Sequence, residues 1–193
     1  MDRYSLGISF GRQKARAVIF NIDRSVVEGQ VLVPYLSSDE DVVSLLAVID
    51  LLFLELSKFP ILKQVAMIKV SGPEDLGVCT TDKLYKSLMT FSAYAESLKS
   101  HFSNCFASNT FLKPEWSNKN YADEWAKNFN PEFRLPENAM LFSIKSLVAS
   151  KPEVWKNSTN IQFLSSFVTS LLAGKRAPVD ASCSKISGMQ GSE

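Results

Sequence analysis

The alternation of apolar and polar positions changes period several times along the chain, and each change marks an element. Leu6 to Phe10 is short and apolar and gives way to Gly11-Arg-Gln13. Apolar residues resume from Arg16 to Asn21, Asp23-Arg24 turns the chain, and Val26 to Val33 forms a third run closed by Pro34. Three short runs joined by tight polar turns predict an antiparallel meander. Ser38-Asp-Glu-Asp41 then supplies carboxylates where a helix N-terminus favours them. Val42, Leu45, Leu46, Ile49, Leu52, Phe53 and Leu56 follow at spacings of three and four, so one apolar helix face is expected, ended by Phe59-Pro60. Gln64 to Val70 reads as a strand running into Ser71-Gly-Pro73. Meander, helix, strand and glycine turn in that order predict an α/β layer arrangement.

Beyond Asp82 the pattern loosens. Lys83 to Met89 and Phe91 to Phe102 read as helical pieces, and Ser117-Asn118 caps a further helix from Lys119 to about Phe129. Ala139 to Ala149 is amphipathic and leaves Lys145 on its exposed side. Pro152 suits a first helical position. Ile161 to Leu164 predicts a short strand, and Ser166 to Ala173 a helix ended by Gly174. The residues from Lys175 onward are small and polar and read as a loose tail. The chain therefore divides into a domain over 1–176 and a tail over 177–193.

Composition narrows the classes. With 193 residues the chain suffices for one domain or one large lobe of a bigger enzyme. Its net charge is +1 and its basic residues are scattered, so it lacks the footprint of a nucleic-acid or acidic-membrane binder. The longest apolar run, Leu45 to Leu56, is interrupted by Asp50 and Glu55 and is too short for a bilayer. Cys79, Cys105 and Cys183 lie far apart and the sole histidine is His101. That inventory points to no zinc site and to a reduced, cytoplasmic chain.

Several segments, in order, resemble the N-terminal domain of the FGGY carbohydrate kinases, and within that family its eukaryotic xylulokinase branch. Leu6-Gly-Ile-Ser-Phe-Gly-Arg-Gln13 is similar to the family's opening strand and phosphate-facing turn. Lys58 to Lys63 and Ile68-Lys-Val-Ser-Gly72 are similar to the strand before the sugar site, and Lys113-Pro-Glu-Trp-Ser-Asn118 to a proline-x-tryptophan-x-aspartate segment. Pro152-Glu-Val-Trp155, Ile161 to Gly174 and Ser187-Gly-Met189 continue the correspondence. The resemblance implies an α/β, ribonuclease-H-like lobe of the actin/hexokinase-like ATPase type, with a mixed sheet that starts with the meander and is flanked by helices. It also implies an ancestry in ATP- and magnesium-dependent phosphorylation of D-xylulose.

The departures concern the chemistry itself. Phosphoryl transfer needs positioned phosphates, a held metal and neutralised oxygen charge. The family's first-strand aspartate is here Ser9, and its small hydroxyl residue before Gln13 is Arg12, while Gly11 and Gln13 are kept. Ser9, Gly11, Arg12 and Gln13 thus read as the remnant of a phosphate turn, with Arg12 a solvated turn arginine. The family's glutamine-glutamine-histidine-glycine stretch is replaced by Pro73-Glu-Asp-Leu-Gly77. Glu74 and Asp75 can accept bonds from sugar hydroxyls, or are simply solvated turn carboxylates. Trp116 and Asn118 stand for tryptophan-x-aspartate, and Asn118 serves equally as a helix cap. Arg134 falls where the family places a substrate-side arginine.

Asp180 reads as a strand-edge residue and is not nominated as the base. No catalytic or metal-binding residue is assigned. The sequence stops just after Ser187-Gly-Met189, so the nucleotide lobe is expected to be absent. The resulting expectation is a diverged kinase lobe, inactive and without cofactor by itself. A D-xylulose-like sugar or a protein partner would meet its exposed lobe face. The rival expectation is a non-catalytic interaction module that pairs with a full-length kinase.

Overall fold

The computed structural model describes residues 2–11, 13–35, 41–73, 75–92, 96–113, 123–124, 127–128 and 139–178. Its first three strands form the expected meander: β1 (Tyr4–Phe10), β2 (Lys14–Asn21) and β3 (Val26–Pro34). Helix α1 (Val42–Leu56) then carries the chain back to β4 (Val65–Ser71). Asp41 caps α1 by accepting from the Ser44 amide at 2.7 Å, which satisfies one of the helix's orphan donors. β4 lies parallel to β1, giving a mixed sheet in the order β3-β2-β1-β4.

The period-two pattern decides which face is covered. Leu6, Ile8, Phe10, Ala15, Ala17, Ile19, Val31 and Val33 are buried with Val42, Leu45, Leu46, Ile49, Leu52 and Leu56 of α1 in one core. Each Val, Leu, Ile or Phe among them contributes about 1.5–3 kcal/mol by leaving water. The small side chains of Ala15 and Ala17 leave room for the helix above β2. Ser5, Gly7 and Ser9 of β1 stand on the opposite face, in register with Met67, Lys69 and Ser71 of β4. Gly7 belongs to that open face. It sits inside β1, and a Cβ there would have nothing within 4 Å.

An element the pattern did not reveal is β5 (Gly77–Thr80), which pairs antiparallel with β6 (Asn160–Phe163) in a second, two-stranded sheet. All four residues of β5 are buried. Val78 joins the main core, whereas Cys79 packs with Leu112, Met140, Leu147 and Phe163 in a smaller cluster. A strand covered on both faces shows no alternation. A Cβ at Gly77 would come within 2.9 Å of the end of the Met140 side chain and 3.2 Å of Leu112 Cβ, so any larger residue there makes those neighbours shift.

The remaining helices are α2 (Lys83–Thr90), α3 (Leu98–Phe102), α4 (Met140–Ser150), α5 (Pro152–Asn157) and α6 (Leu164–Ala173). The helix expected over Phe91 to Phe102 is shorter among the described residues, beginning only at Leu98, where Asp50 of α1 accepts from the Leu98 amide at 2.9 Å. The helix expected from Lys119 to about Phe129 lies largely outside them. Lys145 is half exposed and pairs with Glu124 at 2.8 Å. Gly174 closes α6 with a φ of 63°, the left-handed conformation that favours glycine. The expected loose tail begins tied down: Ala177 is buried, and its amide donates to Ser170 Oγ at 3.0 Å.

Candidate functional site

The carboxyl ends of β1 and β4 lie side by side, with Ser9 and Ser71 as register partners. In open α/β sheets, ligands settle beyond such ends where the connections diverge. Here β1 turns into antiparallel β2 on one side and neighbours parallel β4 on the other. Ser71 is held there by a long bond from its hydroxyl to the Ile8 carbonyl, at 3.4 Å. Gly72 follows, and a Cβ on it would touch Leu164 at 3.6 Å and the Ser165 amide at 3.7 Å. The start of α6 thus closes the end of β4, and its first amide, on Leu164, donates to the Leu76 carbonyl at 3.0 Å.

The β1–β2 turn is occupied with its own bonds. The Gly11 amide donates to the Lys14 carbonyl at 2.9 Å, and the Gly11 carbonyl accepts from the Tyr35 hydroxyl at 2.7 Å. The Tyr35 amide donates to the Gln13 carbonyl at 3.0 Å. Burial pushes the Tyr35 phenol up to about 12, so it stays a hydroxyl donor across the neutral range. The turn is consequently braced from behind by Tyr35, a residue that the sequence reading did not single out. Its only signal was an aromatic residue directly after the Pro34 stop.

Among the sequence-nominated residues, Ser9, Gly11 and Gln13 are exposed around this strand end and turn. Asp75 lies in the β4–β5 connection and is half-buried. Arg12, Glu74, Trp116, Asn118 and Arg134 lie outside the described residues, as does Asp180. The described part of the site offers two serine hydroxyls, the exposed amide side chain of Gln13 and the Asp75 carboxylate. A hydroxyl at Ser9 can hydrogen-bond a phosphate or sugar oxygen, but it has no negative charge with which to hold magnesium. Among the described residues no three His, Cys, Asp or Glu side chains come together as a metal group, and no helix is long and apolar enough to cross a membrane.

No protein-family profile matches the sequence. No curated protein matches it either. Solved structures do match in fold. Xylulose kinase from Rhodospirillum rubrum superimposes with a TM-score of 0.72 at 14% identity, over 96% of this chain and 38% of that one. Gluconate kinase from Lactobacillus acidophilus gives 0.60 at 12% identity, over 88% and 33%. Plasmodium falciparum glycerol kinase with ADP gives 0.57 at 12% identity, over 97% and 41%. The mixed sheet and its flanking helices are thus the fold found within these sugar and polyol kinases, and the chain spans well under half the length of each.

Proposed function

We propose that this chain is a sugar-kinase lobe of the FGGY type, xylulokinase-like in ancestry, that does not transfer phosphate by itself. The observation that carries the proposal is Ser9 at the end of β1, beside Ser71 and ahead of a turn whose Gly11 amide and carbonyl are both bonded internally. A phosphate cradle works by aiming backbone donors outward and by fixing a metal with a carboxylate. In this turn the Gly11 donor is already spent, and the first strand supplies no charge. The family's ATP and magnesium would meet the β1–β2 turn. A ketose would meet the β4–β5 connection, with Asp75, Glu74, Trp116, Asn118 and Arg134 as its polar and stacking contacts.

Incubation of the purified chain with ATP, magnesium and D-xylulose is expected to release no ADP above the protein-free blank. Sustained ADP release that depends on D-xylulose would overturn the non-catalytic part of the reading. Sugar recognition is tested separately by a thermal melt, because a ligand that binds only the folded state raises its stability. A melting temperature that rises with D-xylulose supports the lobe reading. A melt unchanged up to high sugar concentrations removes the sugar.

A second reading, an interaction module, draws on the outer edge of β4. Among the described residues β4 has only β1 as a strand neighbour, and its Met67 and Ile68 are 58% and 48% exposed. Unpaired apolar edges are templates for other strands. Sedimentation with a full-length kinase would separate the readings: co-migration favours the module, and independent migration removes it.

A further inference from the structure

We propose that His101 is a pH-sensitive latch that pins α3 to the end of α2, closed when its imidazole is doubly protonated. The geometry around the ring carries this. Nδ1 faces the Glu96 carboxylate, in close contact with Oε2. Nε2 faces the Ser87 carbonyl at 2.9 Å and the Thr90 hydroxyl oxygen at 3.4 Å. A carboxylate and a carbonyl only accept, so each ring nitrogen needs a proton, and only the imidazolium carries both. A neutral ring would turn a lone pair toward one of the two acceptors. The side chain is only 12% exposed, and its ring packs on Phe91 and Phe102 with centroids 5.3 and 4.9 Å away. It is therefore poorly placed to swing out and find water.

The surrounding charges are few. Glu96 precedes α3 and is the carboxylate in contact. From α1, Asp50 is engaged with the Leu98 and Lys99 amides at 2.9 and 3.3 Å. From α2, Lys83 and Lys86 are exposed, and Ser87 presents its carbonyl in the helix's last turn, where positive charge is favoured. The Cys105 thiol donates to Ser87 Oγ rather than to the ring. Burial pulls the His101 imidazole down, but the Glu96 hydrogen bond, the Ser87 carbonyl and the Glu96 charge together outweigh it and raise the group above its ordinary 6.5.

The sign follows from linkage. A group raised by folding stabilises fully below its unfolded value, here 6.5, and that contribution is lost as pH rises through the higher folded value. The loss is local. The α2–α3 excursion is closed at its base by the Thr80–Phe106 bridge and by the Thr81 amide donating to the Cys105 carbonyl at 2.8 Å. Its inner end is held by Asp50. Opening the latch frees α3 from α2 and leaves that base in place.

Because His101 is the sole histidine, its ring protons give an unambiguous NMR titration of the intact chain. The midpoint is expected above 6.5 in the wild type and lower in Glu96→Gln. Hydrogen exchange of the α3 amides, corrected for intrinsic rates, is expected to show the opening constant rising by up to tenfold per pH unit between 6.5 and that midpoint. In His101→Gln this dependence should vanish while the β1–β3 amides stay protected. A ring that titrates at or below 6.5, or an α3 opening constant with the same pH dependence in His101→Gln, would overturn the latch. The ring titration needs no variant, so the proposal stays testable if His101→Gln folds poorly.

Discussion

Phe167→Ala is expected to lower the stability of the whole chain by about 3–5 kcal/mol, the usual range for emptying a phenylalanine site in a core. Phe167 is fully buried on α6 and meets Phe106 edge-on at 5.7 Å, a pairing that adds about 0.5–1.5 kcal/mol beyond burial. It shares the main core with Leu6 and Ile8 of the meander and with Leu46 of α1. The helix that closes the strand-end site is thereby part of the same packed body as the first strands. Urea unfolding should show one transition, displaced together for far-ultraviolet dichroism and for tryptophan fluorescence. A loss below about 1 kcal/mol, well under the core range, or a separate early transition, would mean that α6 docks on a core already complete without it.

Phe102→Ala carries an expectation of the same size, about 3–5 kcal/mol, with a second signature. Phe102 is fully buried in the main core and touches both Phe91 and His101. Its removal leaves a void under α3 and withdraws one of the rings that hold the imidazole in place. Urea midpoints measured at pH 6 and pH 8 should both fall, and the gap between them should narrow relative to wild type. A large loss with an unchanged gap would separate the void from the imidazole's seat.

The meander, α1 and α6 were readable because each packs one face on the core. Alternation at Leu6, Ile8 and Phe10 and the spacing of Leu45, Ile49 and Leu52 are direct images of that geometry. β4 was readable from its Val, Met and Ile run, although only Val65 and Val70 in it are partly buried. β5 was not readable, because burial on both faces erases alternation and its partner strand comes much later in the chain. At the site, the loss of charge at Ser9 was legible as chemistry. The bonding of the Gly11 carbonyl was not, since it depends on Tyr35 returning to the turn from the end of β3.

The distant pairing of β5 also bears on how the chain acquires its structure over time. Thr80 and Asn160 are 80 residues apart, while β1, β2 and β3 find each other through short turns. At ordinary synthesis rates, β5 would leave the ribosome about 4–16 s before β6. Throughout that interval Val78, which ends in the core, lacks its β6 neighbour, and only the 105–112 segment that bonds the other edge of β5 can cover it. Long-range pairing also slows folding after synthesis. Pulsed hydrogen exchange during refolding should therefore protect the β1–β3 amides before those of β5 and β6. Simultaneous protection would show that the two sheets condense in a single step.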